Sequence, residues 1–103
     1  MTVALEILNP VAMAKDEQSQ AERFPPAARL RNLDGKTIGL FWNGKHHGGT
    51  ALERVKTALS SRHPGLQFRD YYGEIGSSVR HATTQQLDRM AAECDAVIGT
   101  SAD

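Results

Sequence analysis

Six consecutive residues, Thr37–Trp42 (TIGLFW), carry no charge and no apolar/polar alternation. A strand covered on both faces reads this way. The run follows an Asp34-Gly35 turn and leads into a glycine-rich stretch, NGKHHGG, at 43–49. In the next stretch, TALERVKTALSSRH at 50–63, Leu52, Val55 and Leu59 recur at helical spacing, with Ala51 and Ala58 beside them. Thr50 with Glu53 predicts a capping box at the helix start, and Pro64-Gly65 predicts its end. A strand, a loop and a crossover helix in this order bring the next strand back parallel to the first.

The pattern then repeats. LQFRDYY at 66–72 predicts a second strand, with Leu66, Phe68 and Asp70 on one side and Gln67, Arg69 and Tyr71 on the other. Its polar alternation predicts an edge position. GEIGSSVRHA at 73–82 reads as a loop. Thr83 with Gln86 predicts a second capping box. Leu87, Met90, Ala91 and Cys94 then fall at i, i+3, i+4 and i+7, which predicts an apolar helical stripe. AVIGT at 96–100 predicts the third strand. The expected fold is α/β: a Rossmann-like, three-layer βαβαβ unit with a parallel sheet of order 2-1-3 and its helices on opposite faces. Residues 34–103 form this unit. Residues 1–33 are expected to be an N-terminal extended arm, with a short strand at Val3, Leu5 and Ile7 and a polar stretch through Pro25-Pro26.

Composition narrows the function classes. Lys+Arg and Asp+Glu each number 12, so no basic excess points to nucleic acid or to an anionic membrane. No apolar run approaches the ~20 residues of a membrane span, and MTVALEILNPVA lacks the basic start of a signal peptide. The expected location is cytoplasmic. The single cysteine excludes an internal disulfide. About 70 residues of sheet unit make a marginal core. Apolar AVIG near an open sheet edge, with Phe24, Leu30 and Leu33 of the arm to cover it, predicts a homo-oligomer or a partner subunit.

Ligands of open parallel sheets bind beyond the carboxyl ends of the strands. Three segments lie on that edge: Asn43–Gly49, Gly73–Ala82 and the residues after Gly99. The NGKHHGG turn, with Lys45, offers backbone N–H groups to a phosphate or carboxylate. It matches neither the P-loop nor the dinucleotide fingerprint, and a plain tight turn explains its glycines equally well. Glu74, Arg80 and His81 supply a carboxylate, a guanidinium and an imidazole on the same edge, able to bind an anion and move a proton. The candidate binding residues are therefore Asn43, Lys45, Glu74, Arg80 and His81, with a small anionic molecule as ligand. No cofactor is required by the sequence. Adjacent His46 and His47 diverge on an extended segment and are read as solvated, so no metal site is expected. Cys94 falls on the apolar stripe and is read as a buried small hydrophobe rather than a nucleophile.

LDGKTIGLFWNGK, YYGEIGSSVRHAT and LDRMAAECDAVIGTSAD resemble the UGSC family of cysteine or selenocysteine proteins, over roughly Leu33–Asp103. In that family the third strand runs into selenocysteine or cysteine followed by Gly-Ser-Cys. By this resemblance the reactive residue belongs immediately after Asp103, and no catalytic residue lies within the 103 residues. The implied chemistry is a thiol- or selenol-dependent oxidoreductase, or a covalent catalyst, acting on a small molecule. Selenocysteine is encoded by UGA, so the expectation is a chain ended by a UGA codon read as stop. The alternative is a non-catalytic binding module or accessory subunit completed by a partner chain.

Overall fold

A computed structural model describes residues 24–101. The arm strand expected at Val3, Leu5 and Ile7 lies outside the described residues. Residues 25–30 form no helix or strand, and Leu33 packs against the core.

The uncharged run becomes the central strand. β1 (Thr37–Trp42) pairs in parallel with β2 (Gln67–Tyr72) on one side and with the chain's last described strand (Ala96–Thr100) on the other. Between them run two two-residue strands, β3 (Ile75–Gly76) and β4 (Arg80–His81), so the last strand is β5. The sheet order β2-β1-β5 is the expected 2-1-3. Leu40 stands beside Asp70 and Ile98, and Trp42 beside Tyr72 and Thr100. Two bonds lock β5 to the start of β1: Asp95 N–H donates to the Thr37 carbonyl (2.8 Å), and Thr37 N–H to Asp95 Oδ2 (2.9 Å).

The two faces of β1 take different cover. Ile38 and Leu40 are buried, with Leu52 and Leu66, in the main apolar cluster. Leu52 comes from α1 (Gly48–Arg62), which packs over β1 and β5. Gly39 points the other way. A Cβ there would stand 2.9 Å from Cys94 Sγ, 3.1 Å from Tyr71 Cε2 and 3.2 Å from Val97 Cγ2. Only glycine lets the end of α2 (Thr84–Glu93) and the β2 edge close over the middle of the strand. β2 pairs with β1 alone among the described residues, as its polar alternation predicted.

The start of α1 differs from the sequence expectation. The helix begins at Gly48 rather than after Thr50, and its N-cap is His47, in the left-handed region at φ 69°, with no side-chain cap. The cause is Trp42. Its indole N–H donates to the Lys45 carbonyl (2.7 Å), folding the loop back over the strand end. Gly48 then lies so close that a Cβ would sit 2.7 Å from Trp42 Nε1. The glycines thus belong to the first helical turn, and Thr50 lies inside the helix.

α2 is capped as expected, with Gln86 N–H donating to Thr83 Oγ1 (3.1 Å). The Gln86 side chain does not close the box. Its Nε2 donates to the Tyr72 carbonyl (2.8 Å), and the residue is 2% exposed. That bond turns the helix so that Gln86 and Met90 face inward, while Leu87, expected on the buried stripe, is 53% exposed. Ala91 is exposed too, and Cys94 is half-buried.

Two substitutions test this account. A non-glycine residue in the left-handed region is strained by roughly 1–2 kcal/mol, against a glycine entropy cost of roughly 0.5–1 kcal/mol. His47→Gly is therefore expected to raise stability by about 0.5 kcal/mol in urea unfolding. Gly39→Ala is expected to lower it by about 1–3 kcal/mol through overpacking. Equal stability of Gly39→Ala and the parent would refute the close approach at β1.

Candidate functional site

The three loops at the carboxyl ends of the parallel strands meet at Asn43. Its Oδ1 accepts from Lys45 N–H (3.1 Å), which tightens the first loop. Its carbonyl accepts from Arg80 N–H (2.7 Å), tying in the second. Its Nδ2 donates to Ser101 Oγ (3.2 Å), just beyond β5. An asparagine one residue past the central strand serves two of the three through donors and an acceptor on a short side chain, and the third through its main-chain carbonyl.

Of the candidate residues, Asn43, Lys45 and Arg80 are brought together on this edge. The Arg80 guanidinium is committed to the hairpin: Nε donates to the Gly73 carbonyl (2.5 Å) and Nη1 to the Gly76 carbonyl (3.1 Å). It also lies 4.7 Å above the Tyr72 ring. The segment expected to be a plain loop is therefore an antiparallel β3–β4 hairpin buckled by its own arginine. Two-residue strands are too short for alternation to reveal. His81 is exposed on β4, opposite Ile75. Glu74 turns to α2, where it pairs with Arg89 and accepts from Thr83 Oγ1 (3.0 Å). His46 and His47 do not diverge, their ring centroids lying 3.9 Å apart. Among the described residues no three His, Cys, Asp or Glu side chains gather as a metal site.

Two features lay beyond the sequence reading. The first is a polar cluster on the Gly39 face of the sheet. Tyr71 Oη donates to Glu93 Oε2 (2.7 Å), which also receives Arg69 Nη1 (2.5 Å). Cys94 Sγ stands 3.2 Å from the same hydroxyl. With the phenol proton directed to Glu93, the thiol is the donor to Tyr71. Cys94 is thus half-buried and hydrogen-bonded, not the buried hydrophobe expected from its position on the stripe. Partial burial, then hydrogen bonds with Cys94 and Glu93, push the Tyr71 phenol well above its ordinary value. The signal in the sequence was Arg69 and Tyr71 on one side of β2, two residues apart.

The second feature is a cavity of about 460 Å³ on the α1 face, where the helix leaves β2 uncovered. Leu40, Trp42, Asp70 and Tyr72 line it from the sheet, and Gly49, Thr50, Leu52 and Glu53 from α1. None of the five candidate binding residues lines it.

The carboxylates give a pH prediction. Hydrogen bonds from Tyr71 and Arg69 hold Glu93 below its ordinary pKa of 4.5, and those from Arg89 and Thr83 do the same for Glu74. A carboxylate depressed on folding contributes stability above its unfolded pKa and loses it as pH falls through the folded one. The thermal midpoint is therefore expected to drop as pH falls below about 4.5. Glu93→Gln should flatten that slope. A slope unchanged in both Glu93→Gln and Glu74→Gln would contradict the assignment.

Among the described residues no helix is long and apolar enough to cross a membrane. No curated protein and no solved structure matches the chain. A family model does match, over residues 6–103, and its description is the UGSC family. With nearly the whole sequence inside that match, the chain belongs to the UGSC family.

Proposed function

We propose that the strand-end edge organised by Asn43 holds a small anionic molecule for thiol or selenol chemistry, within a cytoplasmic Rossmann-like domain. The observation that carries this reading is the meeting of all three loops at one asparagine, where parallel α/β sheets bind their ligands. The three-layer arrangement is supported by α1 on the Ile38–Leu40 face and the end of α2 on the Gly39 face. Lys45 and the backbone N–H groups before α1 supply positive potential for the anion, with His81 on the neighbouring hairpin to exchange a proton. Glu74 and Arg80 act through the frame, holding the hairpin to α2 and to Tyr72.

On this reading the family's reactive thiol or selenol follows the third strand, beside this edge. A thiolate or selenolate there is the nucleophile, and the loop edge orients its substrate. The one cysteine of this sequence lies instead at the far end of α2, bonded to Tyr71. A disulfide cycle needs a second chalcogen.

Two measurements check the proposal. In an amide NMR titration with inorganic phosphate and with acetate, residues 43–49 and 73–82 are expected to shift saturably. Asn43→Ala, which removes the side-chain bonds to Lys45 N–H and Ser101 Oγ, should weaken that binding about tenfold. Shifts scattered over the whole surface would defeat the site. The 103-residue chain is expected to show no peroxide or disulfide reductase turnover. Turnover lost on Cys94→Ser would move the chemistry to the Tyr71 cluster.

A further inference from the structure

We infer that the cavity between α1 and β2 is a separate binding site for an organic ammonium ion with a flat apolar body, an arylalkylamine in chemical class. At about 460 Å³ it falls within the ordinary range for small-molecule sites. Its floor is apolar: Leu40 is 1% exposed and Leu52 4%. Its wall is aromatic, with the Trp42 and Tyr72 rings 5.3 Å apart and tilted by 43°.

Both rings are fixed before any ligand arrives. Trp42 is held by its bond to the Lys45 carbonyl and by the bare Cα of Gly48 beneath it. Tyr72 is held by the Arg80 guanidinium over its ring. A preformed wall lowers the ordering cost of binding.

The charge of the ligand follows from the rim. Asp70 and Glu53 both line the cavity, and neither carboxylate has a hydrogen bond or ion pair with a described residue. The lysine nearest in sequence to Glu53, Lys56, lies over the Phe68 ring at 6.0 Å instead. Arg80 is engaged by two carbonyls and by Tyr72. Two carboxylates thus line an apolar pocket without an ion pair to any described cation.

Spacing sets the shape. Asp70 and Tyr72 share one face of β2, two residues apart, which separates them by roughly 6.5 Å along the strand. An ammonium at Asp70 and Glu53, joined through two carbons to an aryl group against Trp42 and Tyr72, suits that distance. An anionic ligand is repelled by the same rim.

Trp42 is the one tryptophan of the chain, so its emission reports on this cavity. The test titrates the purified chain with phenethylamine hydrochloride and, at equal ionic strength, with sodium phenylacetate, the same skeleton with opposite charge. Phenethylamine is expected to change Trp42 emission saturably, and phenylacetate to bind at least about tenfold more weakly. Asp70→Asn and Glu53→Gln, both near-isosteric changes at exposed side chains, should each weaken phenethylamine binding by roughly two- to fivefold. Unchanged circular dichroism confirms that each variant is folded. Three results would overturn the assignment: equal affinity for the two probes, no saturable response to phenethylamine up to its solubility limit, or affinity unmoved in both carboxylate variants.

Discussion

The hydrogen bond from the Trp42 indole to the Lys45 carbonyl sets the geometry of one whole end of the molecule. It ends β1, bends the glycine-rich loop back on itself and brings Gly48 against the ring. α1 therefore starts three residues earlier than its threonine predicts. The same ring closes the cavity on one side. Without that bond the loop has no reason to expose Asn43 toward the other two strand ends, since the Asx turn at Lys45 is built on the same fold-back. An amphipathic side chain with one donor thus joins an apolar core to a polar edge.

From that point the two faces of the sheet diverge in character. On the α1 face Ile38, Leu40, Leu52 and Leu66 make an apolar core, fading toward β2 into a cavity rimmed by Asp70 and Glu53. On the other face, missing volume at Gly39 is filled by polar chemistry: a thiol, a phenol, a carboxylate and a guanidinium in sequence. The arrangement lets α2 approach the sheet through a chain of hydrogen bonds with Met90 as its main buried apolar anchor.

Fold was more legible than site. β1 fell where its uncharged run marked it, because burial on both faces leaves little other composition. β5 was marked by its apolar run alone, with Val97 exposed. The cap at Thr83 was readable because it is local. The cap at Thr50 misled because a contact from Trp42, eight residues earlier, decided where the helix began. Leu87 was misplaced for a similar reason: Gln86 spends its amide on the end of β2, and that turns the helix. Arg80 read as a ligand residue by charge alone, while the hairpin that consumes its guanidinium has strands too short to register in any period. The Tyr71–Cys94 pair joins residues 23 positions apart and rests on the absence of a side chain at Gly39. Such long-range coincidences leave no trace in periodicity.

The two bonds between Thr37 and Asp95 have a kinetic consequence. They join positions 58 apart, and they set the register of the central strand with its last neighbour. Parallel pairings of this span must pay for loop closure before contact rewards it, so the barrier to folding lies late in the chain's own assembly. On a ribosome, β1, α1 and β2 emerge well before β5 does. For that interval one flank of β1 offers unpaired N–H and C=O groups to whatever is nearby. The interval between the emergence of β2 and that of β5 then sets how long the nascent protein is open to mispairing.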